Sequence, residues 1–285
     1  MITVTAATGH LGRHVIEHLL DRGVPATEIV AAVRNPEKAA DLAARGIQVR
    51  EADYTRPETL GPALAGTDKL LLISSSEVGQ RVAQHRNVID AAVAAGVGLI
   101  AYTSILQAET SDAPLVPEHK ATEELIRASG LPFVFLRNGW YIENYTENLA
   151  PALAQGAFAG SAGDGKISAA TRSDFAAAAA AVLTGDGHAG KAYELGGEAF
   201  TMSELAAEVA AQTGKPIGYQ DLPAEQYTQI LIGAGLPEVF AQVLAGSDVA
   251  ITRGELFTTS TDLTDLIGRP TTPLADAVAV GLKTS

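Results

Sequence analysis

The chain has no cysteine, which excludes disulfides, thiolate metal sites and a cysteine nucleophile together. Basic residues are scarce as well. Twenty Lys and Arg against 33 Asp and Glu leave a net charge of −13, which repels nucleic acid and anionic membrane surfaces, and no local basic patch offsets it. Long apolar runs are missing: the longest alanine-rich stretch, Phe175 to Leu183, is far short of the roughly twenty residues a membrane span needs. The first strand-like run begins directly after Met1, with no charged and apolar leader before it, so the cytoplasm is the expected compartment. Neither nucleic acid nor membrane is expected as a partner.

What is present is ordinary for a globular protein, with 47% hydrophobic and 19% charged residues in 285. That length allows one large domain or two. The most informative stretch is the first twenty residues. Ile2-Thr3-Val4-Thr5 is a β-branched run, Ala6-Ala7-Thr8-Gly9-His10-Leu11-Gly12 lacks bulk where the backbone must bend, and Val15, Ile16, Leu19 and Leu20 recur at helical spacing. A strand that turns tightly into a helix presents unpaired N–H groups and the positive end of the helix dipole, which is where a diphosphate settles. The spacing is that of a G-x-x-G-x-x-G turn with Gly9 and Gly12 in place and Ala6 where the first glycine stands. A methyl group there narrows the turn. The bland alternative is a strand-to-helix turn that binds nothing.

From Ile2 to about Arg137, strand-like and helix-like segments alternate, which predicts a parallel sheet covered by crossover helices. Strands are expected at Ile2–Thr5, Ile29–Val33, Ile47–Arg50, Lys69–Ile73, Leu99–Thr103 and Phe133–Leu136, with glycines closing several of the helices between them. This is a Rossmann-type, doubly wound α/β fold over residues 1–139. Residues 140–285 read as a smaller, mostly helical lobe on the substrate side, with crossing of the chain between the two left open. Helices are expected there at Thr201–Thr213, Ala224–Gly233, Pro237–Leu244, Asp262–Ile267 and Pro273–Leu282, and short strands near Lys166–Ala169, Tyr193–Leu195 and Ile217–Gln220. Arg172 and Asp174 suit a cap on the alanine-rich helix.

Parallel strands bring their carboxyl ends to one edge, so the residues there are read as one site. After the second strand, where an NAD site carries an acid for the ribose hydroxyls, stands Arg34, with Lys38 nearby. A guanidinium pairs with a 2′-phosphate and gains little from a hydroxyl, so Arg34 argues for NADP(H); the alternative is a solvated loop arginine. Asp53 suits the adenine amino group or a helix cap. Ser74, Ser75 and Ser76 are small enough for a ribose and nicotinamide to lie against the backbone. Ser104, after Tyr102-Thr103, offers a hydroxyl toward a hydride acceptor.

Taken together, Ala6 to Gly12, Val33-Arg34-Asn35-Pro36, Leu72-Ile73-Ser74-Ser75-Ser76-Glu77, Ile100 to Ser104 and Leu136-Arg137-Asn138-Gly139-Trp140-Tyr141 resemble the NmrA-like atypical short-chain dehydrogenases. Within them the chain is most similar to the NADPH:quinone oxidoreductases of the type 2 group. The resemblance implies NADP(H) contacts at Ala6, Thr8, Gly9, His10, Leu11 and Gly12, at Arg34, at Ser74 to Ser76, and along Asn138, Gly139, Trp140, Tyr141, Ile142 and Glu143. Typical short-chain dehydrogenases carry Tyr-x-x-x-Lys, and this chain has none: in the family register His119 takes the lysine position and Leu115 the tyrosine position, while counting from Lys120 gives Val116. A ketone needs that acid in its transition state. A quinone does not, because hydride turns it into an aromatic phenolate that water protonates afterwards.

The expected reaction is therefore direct hydride transfer from NADPH to a quinone or another planar acceptor. Asn138 orients the carboxamide or the quinone oxygen, Tyr141, Tyr145 and Trp140 wall the pocket or pack the core, and His119 donates a hydrogen bond or caps a helix. Two other readings stay open: an NADP(H) sensor that catalyses nothing, and a reductase of triarylmethane dyes. His10, His14 and His18 fall four apart, but no carboxylate matches them, so they read as a solvent face and no metal is expected. A homodimer is open to the chain.

Overall fold

β1 (Ile2–Thr5) lies in the middle of a seven-stranded parallel sheet, and its inner residues are buried on both faces, as in a strand covered by helices on each side. The structure is a computed structural model and describes residues 1–284. β2 (Ile29–Val33) and β3 (Gln48–Glu51) extend the sheet on one side of β1. β4 (Lys69–Leu72), β5 (Leu99–Ile105) and β6 (Phe133–Asn138) extend it on the other. The order β3-β2-β1-β4-β5-β6 reverses between β1 and β4, which opens a crevice above the carboxyl ends of those two strands. All six strands expected from the sequence are present.

On one face α1 (His10–Asp21) and α2 (Ala40–Ala44) join a core with Val4, Ala31, Val33 and Leu71. On the other, α3 (Pro57–Leu64), α4 (Arg81–Ala95) and α5 (Val116–Ala128) pack on Leu70, Leu72, Ile100, Tyr102 and Phe135. After β6 the chain runs through two short helices, α6 (Glu143–Thr146) and α7 (Ala150–Gln155), to β7 (Ala157–Gly160). It then returns to the first unit. α8 (Arg172–Thr184) is buried all round from Asp174 to Leu183 between the sheet and α1, and β8 (Lys191–Leu195) pairs parallel with β6 as the seventh strand. The sequence places Tyr193–Leu195 in the smaller lobe; in the fold it covers the edge that β6 otherwise leaves open.

The remaining chain holds α9 (Met202–Thr213), β9 (Gly218–Asp221), α10 (Ala224–Gly233), α11 (Glu238–Thr252), α12 (Asp262–Ile267) and α13 (Leu274–Thr284). β7 and β9 form a two-stranded parallel sheet beside a second core of Ile142, Leu149, Phe200, Leu205, Val209 and Ile251. Two expectations need correction. The strand over Lys166–Ala169 is a single bridge, Ile167 to Phe200. The helix expected to stop at Leu244 continues to Thr252, because Ala245-Gly246-Ser247 is not a break but a contact: a Cβ on Gly246 would sit 2.7 Å from Pro114, so only glycine lets α11 lie on that loop.

Two polar clusters fasten these parts. Arg137, almost fully buried, holds Glu123 of α5 (2.8 Å), Glu109 (2.8 Å) and Glu194 of β8 (2.9 Å), and although burial works against its charge, these carboxylates raise its pKa. At the head of α8, Thr171 caps the amide of Asp174 (3.1 Å), Glu143 accepts from the amide of Arg172 (2.8 Å), and the buried Asp174 pairs with Arg269 (2.7 Å). The loop after α6 also reaches the first turn, with Glu147 at 3.6 Å from His10.

Candidate active site

The turn after β1 is built for an anion. Gly9 stands at the N-cap of α1 with no side-chain cap, and the first turn holds no acid. Among the described residues no acceptor takes the amides of His10, Leu11 and Gly12, so three N–H groups and the positive helix end face the crevice. Close packing requires Gly12: a Cβ there would fall 2.5 Å from the Ala6 carbonyl oxygen and 2.7 Å from the Ala7 Cα. Ala6 adopts φ 48°, the left-handed region that favours glycine, so the turn keeps its shape by straining an alanine. Uncapped amides over a glycine cradle fit the diphosphate of a dinucleotide.

Arg34 follows β2 with its side chain 72% exposed, and its Nη1 lies 3.2 Å from Glu77 Oε1 across the crevice. Lys38 is exposed nearby. Asp53 Oδ1 accepts from the Thr55 amide (2.9 Å) and hydroxyl (2.7 Å) and so closes the turn before α3; it does not cap that helix, whose N-cap is Arg56 without a side-chain cap.

The loop after β4, which carries Ser74 to Ser76, is held by side chains rather than by the sheet. The Ile73 amide donates to Thr5 Oγ1 (3.0 Å) and its carbonyl accepts from the Tyr54 hydroxyl (2.9 Å). The Ser74 amide donates to Thr103 Oγ1 (2.8 Å), and the Ser75 amide to His85 Nε2 (2.9 Å). The Ser75 carbonyl accepts from Arg81 Nε (2.5 Å). His85 Nδ1 in turn contacts Thr122 Oγ1 (2.9 Å), which donates to the Glu118 carbonyl. These bonds assign the proton of His85 to Nδ1, and burial with the neighbouring Arg81 charge lowers its pKa to about 3. Such a loop is rigid before any ligand arrives.

At the end of β6, Asn138 is 5% exposed and its Oδ1 has no hydrogen-bond partner among the described residues. Burial raises the Tyr141 phenol, which the Asn138 amide beside it partly offsets. Tyr141 also packs edge-on against Phe175 (5.5 Å) and lies under the Arg172 guanidinium (5.1 Å), so the wall and the core share one ring. Gly139 donates to the Leu195 carbonyl (2.7 Å), and a Cβ on it would meet the Ser168 carbonyl at 2.6 Å. Trp140 Nε1, Tyr145 OH and Glu143 Oε2 are buried without hydrogen bonds, while Ile142 packs in the second core.

Two of the sequence candidates face elsewhere. The Ser104 hydroxyl donates to Glu123 Oε1 (2.6 Å) in the Arg137 cluster. His119 is buried with Nδ1 against the Tyr102 hydroxyl (2.8 Å), and burial holds its pKa well below the usual histidine range. His18 bonds Ser173 Oγ (3.0 Å) on α8. Sequence reasoning missed the clamp made by Thr5, Tyr54, His85 and Arg81. One signal was available: Arg81 opens α4, where a cation opposes the helix dipole, and His85 follows four residues later on the same face.

Residues 6–186 match the NAD(P)H-binding family. The chain is 55% identical to quinone oxidoreductase 2 of Escherichia coli over 98% of both chains. Its structure is similar to that of the NADPH-dependent quinone oxidoreductase of Escherichia coli complexed with NADPH (TM-score 0.95, 54% identity, 98% of this chain and 99% of that one). It is also similar to the Citrobacter triphenylmethane reductase complexed with NADP(H) (TM-score 0.94, 44% identity, 99% and 100%).

Proposed function

The chain belongs to the NAD(P)H-binding family, and on that premise we propose that it is an NmrA-like, NADPH-dependent quinone reductase. We further propose that it works by direct hydride transfer, without a tyrosine–lysine proton donor. The observation that carries this reading is Asn138 Oδ1, a buried acceptor without a partner at the end of β6. An orphaned buried acceptor is destabilising by about 1–3 kcal/mol unless something completes it, and a carboxamide N–H is a suitable donor.

In this reading the amides of His10, Leu11 and Gly12 hold the diphosphate and Arg34 meets the 2′-phosphate. The Ser74 to Ser76 backbone supports the ribose, and Asn138 fixes the carboxamide beside Tyr141. Asp53 and the Gly139 to Glu143 segment complete the walls. When bound, NADPH supplies the hydride. The residues around it supply position and dryness rather than a proton. His119 is neutral and Tyr102 holds its proton far above neutral pH, which suits an acceptor that becomes a stable aromatic anion and takes its proton from water.

The likeness to the triphenylmethane reductase favours one second reading, because a triarylmethane carbocation also takes hydride without an acid. The test mixes the purified protein with NADPH and a series of simple quinones and cationic dyes and follows loss of the reduced nicotinamide. Turnover with quinones supports the first reading. Turnover with dyes alone supports the second, and nucleotide binding without any turnover overturns both in favour of a sensor.

A further inference from the structure

Arg81 is an anomaly on three counts. It occupies the first turn of α4, where its charge opposes the positive end of the helix dipole. It is 6% exposed, and its Nη1 is buried without a hydrogen bond. Among the described residues its one ion-pair partner is Glu118 of α5, at 3.7 Å, beyond hydrogen-bond range, with its own Oε1 accepting the Gly79 amide (3.0 Å). A buried guanidinium is ordinarily satisfied by two-pronged bonds to a carboxylate. Here only Nε is used, on the Ser75 carbonyl.

The surroundings place Arg81 at one wall of the crevice. Arg81 is pinned to the loop after β4 through Ser75 and stands beside Glu118 and His119 at the start of the helix that follows β5. Its charge also acts on the Tyr141 phenol after β6. Those three segments border the crevice on the far side of β1 from Arg34. Of the other groups packed there, burial holds His85 and His119 neutral and keeps the Tyr102 and Tyr141 phenols protonated, while Glu118 is the facing carboxylate and a second guanidinium, Arg172, is stacked on the Tyr141 ring and bonded to Glu147.

We propose that Arg81 stabilises the negative charge that arrives on the acceptor oxygen during reduction, its Nη groups donating to that oxygen while Ser75 and Glu118 hold the guanidinium in place. This rests on the reading of the protein as a quinone reductase. The quinone gains two electrons and a proton as the hydride given up by the reduced nicotinamide. One carbonyl oxygen becomes a phenolate, and a proton from water completes the hydroquinone. Arg81 keeps all its protons throughout, as a guanidinium must, so it lowers the energy of the anion without transferring anything.

The decisive probe is 4-nitrophenol, whose colour reports its ionisation, titrated with excess full-length protein in the absence of nucleotide. Beside a guanidinium, the bound phenol ionises about one pH unit lower than in water. Arg81→Gln abolishes that shift. Glu118→Gln enlarges it, because the counter-charge is gone, and this variant decides the matter alone if Arg81→Gln does not fold. In turnover, Arg81→Gln lowers kcat with quinones about 10²-fold, and Arg81→Lys or guanidinium added to Arg81→Ala restores part of it, which a merely structural role would not allow. A bound phenol that ionises as in water, or a shift that survives Arg81→Gln, overturns the proposal. If the phenol shifts but no quinone oxidises NADPH, the quinone reading falls while the anion site stands.

Discussion

Replacing Arg34 by alanine separates recognition of the 2′-phosphate from every other part of nucleotide binding. Arg34 is largely exposed, and among the described residues its one hydrogen-bonded partner is Glu77, at 3.2 Å. An exposed ion pair of this kind is worth about 0–1 kcal/mol, so its loss leaves the fold intact. A two-pronged guanidinium–phosphate pair contributes about 1.5–3 kcal/mol. Because Arg34 first gives up Glu77 and stays partly in water, the lower half of that range applies. Arg34→Ala should therefore raise the Kd for NADPH roughly 10- to 45-fold and change that for NADH less than about twofold, since a ribose hydroxyl gains little from a guanidinium. Calorimetry with both nucleotides measures it. The difference should shrink as salt is raised, because the pair is exposed. Glu77→Gln, which frees Arg34, should tighten NADPH about two- to threefold. Equal weakening of both nucleotides by Arg34→Ala would refute the assignment.

Other parts of the structure predict distinct outcomes. Ala6→Gly relieves a left-handed alanine at φ 48°. After the entropy that glycine adds to the unfolded chain, the net gain is about 0.5–1 kcal/mol, seen as a rise in Tm of roughly 1–4 °C and tighter NADPH binding; a fall in Tm would count against strain at this turn. Gly12→Ala drives a Cβ into the Ala6 carbonyl and should destabilise the fold by about 1–3 kcal/mol and abolish nucleotide binding, which thermal melts and calorimetry report together. Asp248 accepts the Ser161 amide (2.8 Å), and burial raises its carboxyl pKa to about 6. The folded state then binds more protons than the unfolded one between pH 4 and 6, so stability falls as pH rises through that window, by up to about 3 kcal/mol. Asp248→Asn should remove this slope and raise Tm at pH 7; an unchanged difference between the melting curves at pH 4.5 and 7 would contradict it.

The strand–turn–helix of residues 2–21 was legible because every signal in it is local: β-branched residues, small residues at the bend, and apolar residues at helical spacing. The same holds for the alternation that predicts the other five strands. The seventh strand was read as part of the lobe, since Lys191–Leu195 is short and its partner, β6, lies more than fifty residues earlier. α11 was cut short because Gly246 looks like a breaker until Pro114 is seen against it. In the candidate site, Arg34 and the serines were singled out from their place at strand ends, and the fold brings them to the edge of the crevice. Ser104 and His119 stand at equally suitable positions in the chain, yet side-chain orientation turns one toward Glu123 and the other toward Tyr102.

From the order of residues alone follow the parallel sheet, the tight strand-to-helix turn with its glycines, an arginine rather than an acid after the second strand and the lack of a Tyr-x-x-x-Lys pattern, because each depends on composition or on neighbours a few positions apart. Only the folded chain decides how the loop after β4 is held and which polar groups stay unpaired. Thr5, Tyr54, Thr103, His85 and Arg81 come from three different elements and one loop, and burial then sets the charge of His85 and His119 and leaves Arg81 and Asn138 incomplete. Hydrogen bonding and desolvation act between groups that are distant in the chain and adjacent in space, and no pattern in the sequence carries that distance.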